Sequence, residues 1–204
     1  MKRINKNLAN EPKELIEHRS TPNSKYESMG EPLQIPLCVD QGNICAYCMR
    51  RIAPNGKQMT VEHYHSQNDY SHLDQIYSNM LATCRKPFRD CSELKGDGEL
   101  FVDPQSAICE TLFVYNNQGE IRAAKTPNEE KVTTDIILLD LNQETLRENR
   151  EAIITKLRES LTKDASAANI RKLLKDWESL HLFGYRAYCM VAVYYLQKKL
   201  RAKP

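Results

Sequence analysis

The sequence lacks several features that would place it at once in a broad class of protein. Its 204 residues contain no apolar run of membrane-spanning length, no internal repeat and no low-complexity tract. The N-terminus MKRINKNLANEPKEL is basic but has no apolar core of the kind that a secretory signal needs. The formal net charge is only +2, which is too small for a surface made entirely for phosphates. We therefore expect a cytoplasmic protein in which any site for a polyanion is local.

The cysteines do not suit a disulfide framework, because there are seven of them and the chain shows no secretory signal. Four fall into two spaced pairs, 45-CAYC-48 and 84-CRKPFRDC-91, a pattern typical of metal ligands in a reducing compartment. The other three, Cys38, Cys109 and Cys189, are expected to pack in the core as small hydrophobic residues.

The order of patterns along the chain predicts an α+β protein. A short helix at 11-EPKELIEHRS-20 is followed by a polar connection at 21–32, and thiols, histidines and turn residues concentrate from 34 to about 103. The segment 111-TLFVYNNQGEIRAA-124 predicts a hairpin, because Asn and Gly tolerate the positive φ of tight turns. Apolar residues at three and four residue spacing then predict helices at 144–161, 169–180 and 185–202.

The two cysteine pairs have the composition of a closed structural zinc site. Two thiolates separated by two residues can bind one ion, and a second pair completes a tetrahedron from Cys45, Cys48, Cys84 and Cys91. The second pair has a wider loop than a standard zinc knuckle, and four ordinary buried cysteines are the alternative. Four thiolates would leave no position open for substrate, so the role of this zinc would be structural.

Between the pairs lies 59-MTVEHYHSQ-67, which places Glu62, His63 and His65 in a β-prone run. A carboxylate is a good ligand for Mg²⁺, and an imidazole that titrates near neutrality is a good base for activating water. Together they favour metal-assisted hydrolysis. Neighbouring strand residues point to opposite faces, so Glu62 and His63 can converge only where the strand ends or bulges. An ordinary hydrogen-bonded surface histidine is the alternative, more so for His65 than for His63.

The order CAYC, VEH, Asn79 in 77-YSNMLATC-84 and then CSELKGD resembles the HNH endonuclease family. The resemblance implies a ββα-metal core stapled by zinc, with a one-metal site that cuts phosphodiester bonds using Mg²⁺ or Mn²⁺. It implies that His63 is the general base, that Glu62 is a ligand of the catalytic metal, and that Asn79 holds the loop that carries the histidine. Lys95 would face phosphate.

The flanking segments are similar to the PtuB nuclease subunits of Septu anti-phage systems, which also occur as retron effectors. These segments are the start MKRINK with HRSTPNSKY, then DQGNICAYC, and later LDLNQETLRENREAI with a Tyr-rich final helix. The resemblance implies an ATPase partner, PtuA, and retron RNA or DNA in a retron system. A helical extension would occupy 1–33, the nuclease core 34–105, and a hairpin with helices 106–204, whose final helix with Tyr188, Tyr194 and Tyr195 would dock the partner or pack on the nuclease lobe.

The sequence departs from the family pattern at the third metal-binding position. Where a His or Asn usually completes the metal shell, Cys91 is flanked by Asp90 and Ser92, so the expected third ligand is Asp90, ahead of Ser92 or Asp97. The proline that usually follows the histidine is also missing.

Basic residues near the motif could supply the local surface for nucleic acid, or could be solvated loop charges. The candidates for contact with nucleic acid are Lys95, Arg85, Arg89 and His65, with Arg50, Arg51, Lys57 and Lys86 nearby. We expect DNA as the substrate, with RNA or tRNA as an alternative because the same metal chemistry cuts RNA. A second class of function is a zinc-stabilised module that binds nucleic acid or protein without cutting.

Overall fold

The computed structural model describes residues 1–26, 30–87 and 89–202. Within these ranges the chain is a mixed α+β structure, as the sequence predicts. The helices are α1 (Lys13–Arg19), α2 (Gly30–Asp40), α3 (Cys91–Lys95), α4 (Glu129–Leu138), α5 (Glu144–Lys163), α6 (Ala167–Glu178) and α7 (Cys189–Arg201), and the strands are β1 (Met59–His63), β2 (Met80–Cys84), β3 (Phe113–Tyr115) and β4 (Ile121–Ala123).

Strands β1 and β2 pair antiparallel, with His63 opposite Met80 and Met59 opposite Cys84. Helices α2 and α3 both pack against this two-stranded sheet. Helix α3 begins after Asp90, whose carboxylate accepts a hydrogen bond from the backbone N–H of Glu93, and it ends before Gly96 at a φ of 53°. Such a φ suits glycine, so the sequence stops the helix within two turns.

The first cysteine pair is fixed beside β2 through Gln41 and Ala82. The Gln41 side-chain amide pairs with both backbone groups of Ala82, at 2.7 Å in each direction. The backbone N–H of Ala46, inside CAYC, donates to the same Ala82 carbonyl at 3.1 Å. Because Cys84 lies at the end of β2, these bonds bring the two cysteine pairs together.

The second half of the chain forms the predicted hairpin and three predicted helices. Strands β3 and β4 pair antiparallel, and α7 packs against β3, α5 and α6. Ser166 caps the start of α6, because its hydroxyl accepts a hydrogen bond from the Asn169 N–H. Arg150 of α5 is buried and donates to the carbonyls of Gly119 and Leu141, at 2.5 and 2.8 Å, so it ties the hairpin turn to the helices.

Two elements differ from the expectation. Helix α2 begins at Gly30, within the segment 21–32 that we expected to be a polar connection; Pro32 in its first turn is compatible with a helix start. Residues 27–29 of that segment lie outside the described residues. Helix α4 was not predicted, because its sequence EEKVTTDIIL has low helix propensity and its stability comes from packing on β4.

Buried apolar side chains from all parts of the chain form one hydrophobic cluster, from Met1 through Leu81 to Leu196. The N-terminus joins this cluster, since Ile4 is buried and its N–H donates to the Pro104 carbonyl at 2.9 Å. Cys38, Cys109 and Cys189 are buried and free, which confirms that they pack in the core. The boundaries at 33/34 and 105/106 stay a prediction. No helix in the described part of the chain is long and apolar enough to span a membrane.

Candidate active site and metal centre

The four paired cysteines form a buried cluster. The Sγ atoms of Cys45, Cys48, Cys84 and Cys91 all lie within 4.8 Å of one another. Cys48 and Cys84 are 3.7 Å apart at sulfur, and Cys84 and Cys91 are 3.5 Å apart. A tetrahedral zinc with Zn–S bonds of about 2.3 Å requires S–S separations of roughly 3.8 Å. The cluster therefore has the donor atoms and spacing of a structural metal site, and it fits zinc.

The four thiols interact with one another through hydrogen bonds. Burial opposes ionisation of Cys45, but hydrogen bonds from Cys48, Cys84 and Cys91 outweigh it and hold the pKa of Cys45 well below its ordinary value. Hydrogen bonding to Cys45 raises the pKa of Cys84 and of Cys91. The Cys45 thiol is thus easier to deprotonate than an ordinary cysteine, and metal binding requires deprotonated thiols.

Glu62 lies near the end of β1 and is buried, with a relative exposure of 4%. Its carboxylate accepts hydrogen bonds from Tyr47 Oη at 3.3 Å and from Ser92 Oγ. Lys95 Nζ lies 3.1 Å from Oε1, with both side chains almost fully buried. Burial raises the pKa of Glu62, and Lys95 and Ser92 oppose that rise. The site is therefore a desolvated carboxylate compensated by one ammonium and two hydroxyls.

His63 is the last residue of β1. It therefore lies at a strand end, which is one of the two places where neighbouring residues such as Glu62 and His63 can converge. Its Nε2 lies 2.8 Å from the Asp74 carbonyl oxygen. Since a carbonyl only accepts, Nε2 carries the proton, and Nδ1 has the lone pair when the ring is neutral. Burial lowers the pKa of His63, although the Asp74 carbonyl and carboxylate act in the opposite direction. The imidazole is therefore neutral and basic at Nδ1 near pH 7.

Asn79 holds the segment that follows His63. Its Oδ1 accepts from the His65 N–H at 2.8 Å, and its Nδ2 donates to the carbonyls of His65 and Leu73, at 3.0 and 3.2 Å. The Asn79 carbonyl also accepts from the Tyr64 N–H at 2.9 Å. One buried amide thus fixes both ends of the loop from 64 to 73.

The structure brings together only part of the expected metal-binding set. Glu62 and Ser92 share a hydrogen bond. Asp90 instead caps α3, and Asp97 accepts from Asn68 Nδ2 at 2.7 Å. Among the described His, Cys, Asp and Glu side chains, the four cysteines are the one group of three or more that could hold an ion.

The residues expected to contact nucleic acid differ in their exposure to solvent. Arg85 is exposed, and His65 pairs with Glu99 at 3.3 Å near the surface. Lys95 is buried, and besides Glu62 its Nζ contacts the carbonyls of His63 and Gly96, at 3.0 and 3.2 Å. Arg89 is also largely buried and donates to the carbonyls of Leu139 and Asp140. Direct phosphate contact by Lys95 or Arg89 would require these bonds to break, and it stays a prediction.

Sequence reasoning missed two tyrosines. Tyr47, between the first two cysteines, donates to Glu62, and Tyr26 packs edge-on against His63 with ring centroids 4.5 Å apart. Burial raises the pKa of both hydroxyls, and Glu62 adds to each rise. Tyr47 could have been suspected from its place inside CAYC, whereas no local signal marks Tyr26.

No family model matches the chain. Among curated proteins, it is similar to a protein of Vibrio cholerae serotype O1 biovar El Tor described as "Retron Vc95 putative HNH endonuclease". The two are 29% identical over 126 residues, which cover 57% of this chain and 60% of that protein. The similarity supports a relationship with the HNH endonucleases, and the match spans less than two thirds of the relative's length.

Proposed function

We propose that the protein is a metal-dependent HNH endonuclease that hydrolyses phosphodiester bonds, with DNA as the favoured substrate. The observation that carries the proposal is the arrangement at the end of β1. There a buried histidine is fixed through Nε2 and has Nδ1 available for a proton, and it directly follows a buried carboxylate. The ββα order of β1, β2 and α3 beside four clustered cysteines supports the same reading.

In this proposal His63 is the general base. Its Nε2–H donates to Asp74, which fixes the ring and leaves Nδ1 to take the proton of the attacking water. Burial keeps the ring neutral at pH 7, as a base requires. Asn79 acts as a positioning residue, because it holds the backbone of His65 while Tyr26 packs against the imidazole.

We propose that a divalent cation binds at Glu62 and takes its remaining oxygen ligands from water and substrate. Mg²⁺ is commonly held by one or two carboxylates plus phosphate oxygens, and here Glu62 and Ser92 would hold it, with Asp90 joining only if it left the α3 cap. When bound, Mg²⁺ or Mn²⁺ would polarise the scissile phosphate. Lys95 now compensates the carboxylate, and it would share Glu62 with the cation.

A local basic surface is present despite the small net charge. Arg50, Arg51 and Arg85 line one cavity of about 310 Å³ beside Tyr188. Arg51 Nη1 donates to the Phe183 carbonyl at 2.6 Å, so this guanidinium is held in place. We propose that this surface contacts the phosphate backbone of the substrate.

The test is a cleavage assay on duplex DNA, single-stranded DNA and tRNA with Mn²⁺, Mg²⁺ or EDTA. His63→Ala should abolish metal-dependent cleavage while the fold, the zinc content and nucleic-acid binding persist. His72→Ala is the matched control, because His72 is an exposed histidine on the same connection, and it should cleave like wild type. Cleavage by pure His63→Ala protein at the wild-type rate would remove His63 as the base.

Two alternatives have their own outcomes in this assay. Cleavage of tRNA in preference to DNA would keep the mechanism and change the substrate. If no substrate is cut while zinc and nucleic acid are bound, the protein is a zinc-stabilised binding module. The buried Glu62–Lys95 pair favours this second reading, since it could serve stability alone.

We also propose that the protein acts in anti-phage defence with an ATPase of the PtuA type, alone or in a retron system with its RNA or DNA. Of the expected docking residues, Tyr188 and Tyr195 are buried, with exposures of 5% and 9%. The exposed apolar side chains of this half include Leu182 and Phe183, at 91% and 77%. The loop between α6 and α7, which carries Leu182 and Phe183, therefore offers a partner more apolar surface than the final helix does.

Co-purification with the ATPase tests the docking proposal. Leu182→Ser with Phe183→Ser should abolish the complex, whereas Ile137→Ser, at another exposed apolar position on α4, should not. Equal recovery of the ATPase by both variants would exclude the loop as the docking surface. The lone protein is expected to be weakly active, and robust host-DNA cleavage without a partner would contradict that.

A further inference from the structure

Two buried arginines lie close to the four-cysteine cluster. Arg150 of α5 has a relative exposure of 2%, and the side chain of Arg89, which precedes Cys91 in the same loop, has an exposure of 7%. Cys84 lines a cavity together with Asn149, the residue before Arg150, so this part of α5 lies beside the cluster. Both guanidinium groups are therefore removed from water near the thiols.

The charge of Arg150 has no carboxylate partner among the described residues. Its guanidinium donates to the carbonyls of Gly119 and Leu141 and to Asn142 Oδ1, all of which are neutral acceptors. Burial lowers the pKa of Arg150, and Cys48 is among the groups that act in the opposite direction. Because arginine is almost never fully buried without a group of opposite charge, the folded protein needs negative charge near this side chain.

Arg89 is only weakly paired. Its Nη2 donates to the carbonyls of Leu139 and Asp140, and the Asp140 carboxylate, which is 53% exposed, lies 3.6 Å from Nη1. Its Nε is buried and has no hydrogen-bond partner among the described residues, although buried N–H groups nearly always have an acceptor. Burial alone would lower the pKa of Arg89, but the neighbouring thiols of Cys91 and Cys48 raise it. These thiols are the nearby source of an acceptor.

The zinc-loaded cluster would supply the missing negative charge. Zn²⁺ bound by four thiolates carries two net negative charges, because the four thiolates outweigh the two charges of the ion. Such a buried charge is costly unless groups of opposite charge compensate it. The two arginines carry two positive charges, so the charges of the cluster and of its buried neighbours balance.

We propose that Arg89 and Arg150 are the counter-ions of the zinc-loaded cluster, with Arg89 Nε donating to a cysteine sulfur. They act as positioning residues, since neither binds the metal. Arg89 connects the cluster to the end of α4, and Arg150 connects it to the turn between β3 and β4. Zinc therefore stabilises the C-terminal half as well as the strands that carry the cysteines. The proposal does not depend on nuclease activity.

The test is the zinc affinity of the full-length protein, measured by competition with a chromophoric chelator. Arg89→Met and Arg150→Met remove the charge, whereas Arg89→Lys and Arg150→Lys keep it. Arg147→Met is the matched control, because Arg147 is an exposed arginine of the same helix as Arg150. Circular dichroism of the zinc-loaded proteins shows whether each variant is folded.

Each Met variant should bind zinc roughly 10–100-fold more weakly than wild type, the range for residues that support metal ligands from outside the ligand shell. Each Lys variant should lose less affinity than its Met counterpart, and Arg147→Met should bind like wild type. Cys48→His keeps a site of three thiolates and one imidazole, with one net negative charge instead of two. In that background Arg150→Met should weaken zinc binding less than it does in wild type.

The Lys variants and the Cys48→His background separate a role of charge from a role in packing alone. The proposal is overturned if either Met variant binds zinc like wild type, or if the Lys variants lose as much affinity as the Met variants. An equal effect of Arg150→Met in the wild-type and Cys48→His backgrounds, or an equal loss in Arg147→Met, would also overturn it. If Arg150→Met does not fold, Arg89→Met decides by the same criteria.

Discussion

Replacing Lys95 with Met breaks the buried ion pair while keeping most of the apolar volume of the side chain. The Lys95 side chain has 0% exposure and that of Glu62 5%, and Nζ lies 3.1 Å from Oε1. The change leaves the carboxylate with only the hydroxyls of Tyr47 and Ser92 as donors, and it removes the donor to the carbonyls of His63 and Gly96. Removing one partner of a buried pair costs about 3–5 kcal/mol, so we expect a loss of stability in that range at pH 7.

The cost should depend on pH with a defined sign. Burial already raises the pKa of Glu62 in the folded state, and loss of Lys95 raises it further. A carboxyl whose pKa is raised on folding destabilises the protein as the pH rises from its unfolded value, about 4.3, through its folded value. The deficit of Lys95→Met should therefore be smaller at pH 5 than at pH 7.

Urea unfolding of the zinc-loaded protein measures these differences, provided that the slope m is unchanged. Glu62→Gln combined with Lys95→Met should recover about 2 kcal/mol relative to Lys95→Met, because no charge is then buried alone. Lys86→Met is the matched control: its ion pair with Glu93 is exposed, at 68% and 60%, so this variant should unfold close to wild type. A loss below about 1 kcal/mol for Lys95→Met, or double-variant losses that simply add, would refute the reasoning.

Four further predictions concern other parts of the molecule. Cys48→Ser should reduce bound zinc from about one ion per chain to almost none by elemental analysis, whereas Cys109→Ser should keep it; equal zinc in both would contradict the cluster. Cleavage should rise with pH through the pKa of His63, which burial lowers below its ordinary value of about 6.5, so an acid limb centred above pH 7 would contradict His63 as the base. Asn79→Ala should lower the free energy of unfolding by about 2 kcal/mol and speed hydrogen exchange at the His65 amide. Unchanged exchange there would count against Asn79 as the residue that holds this segment. Gly184→Ala should lower the free energy of unfolding by at least about 2 kcal/mol, because Gly184 has a φ of 101° and a Cβ there would lie 2.1 Å from the Gly42 carbonyl oxygen. A variant as stable as wild type would show that the backbone around Gly184 can move away from Gly42.

Local patterns were sufficient for much of the fold and for part of the site. The 3.6-residue periodicity predicted α5, α6 and α7, and Asn and Gly predicted the turn between β3 and β4. Cysteine spacing predicted a cluster whose sulfurs do meet. Helix α4 and the start of α2 were not predicted, because their stability comes from packing, of α4 on β4 and of α2 on β1 and β2, and not from a local helix signal.

The sequence by itself predicted which side chains belong to the candidate sites: the four thiols, which do cluster, and Glu62, His63 and Asn79, whose roles stay a prediction. Only the tertiary structure decided the hydrogen-bond partners and the burial of each side chain. It fixed Nε2 of His63 on Asp74, turned Asp90 to cap a helix, and buried Lys95 against Glu62. These outcomes depend on contacts between residues far apart in the chain, and burial in those contacts shifts the pKa of Glu62 and His63 in ways that no local pattern encodes.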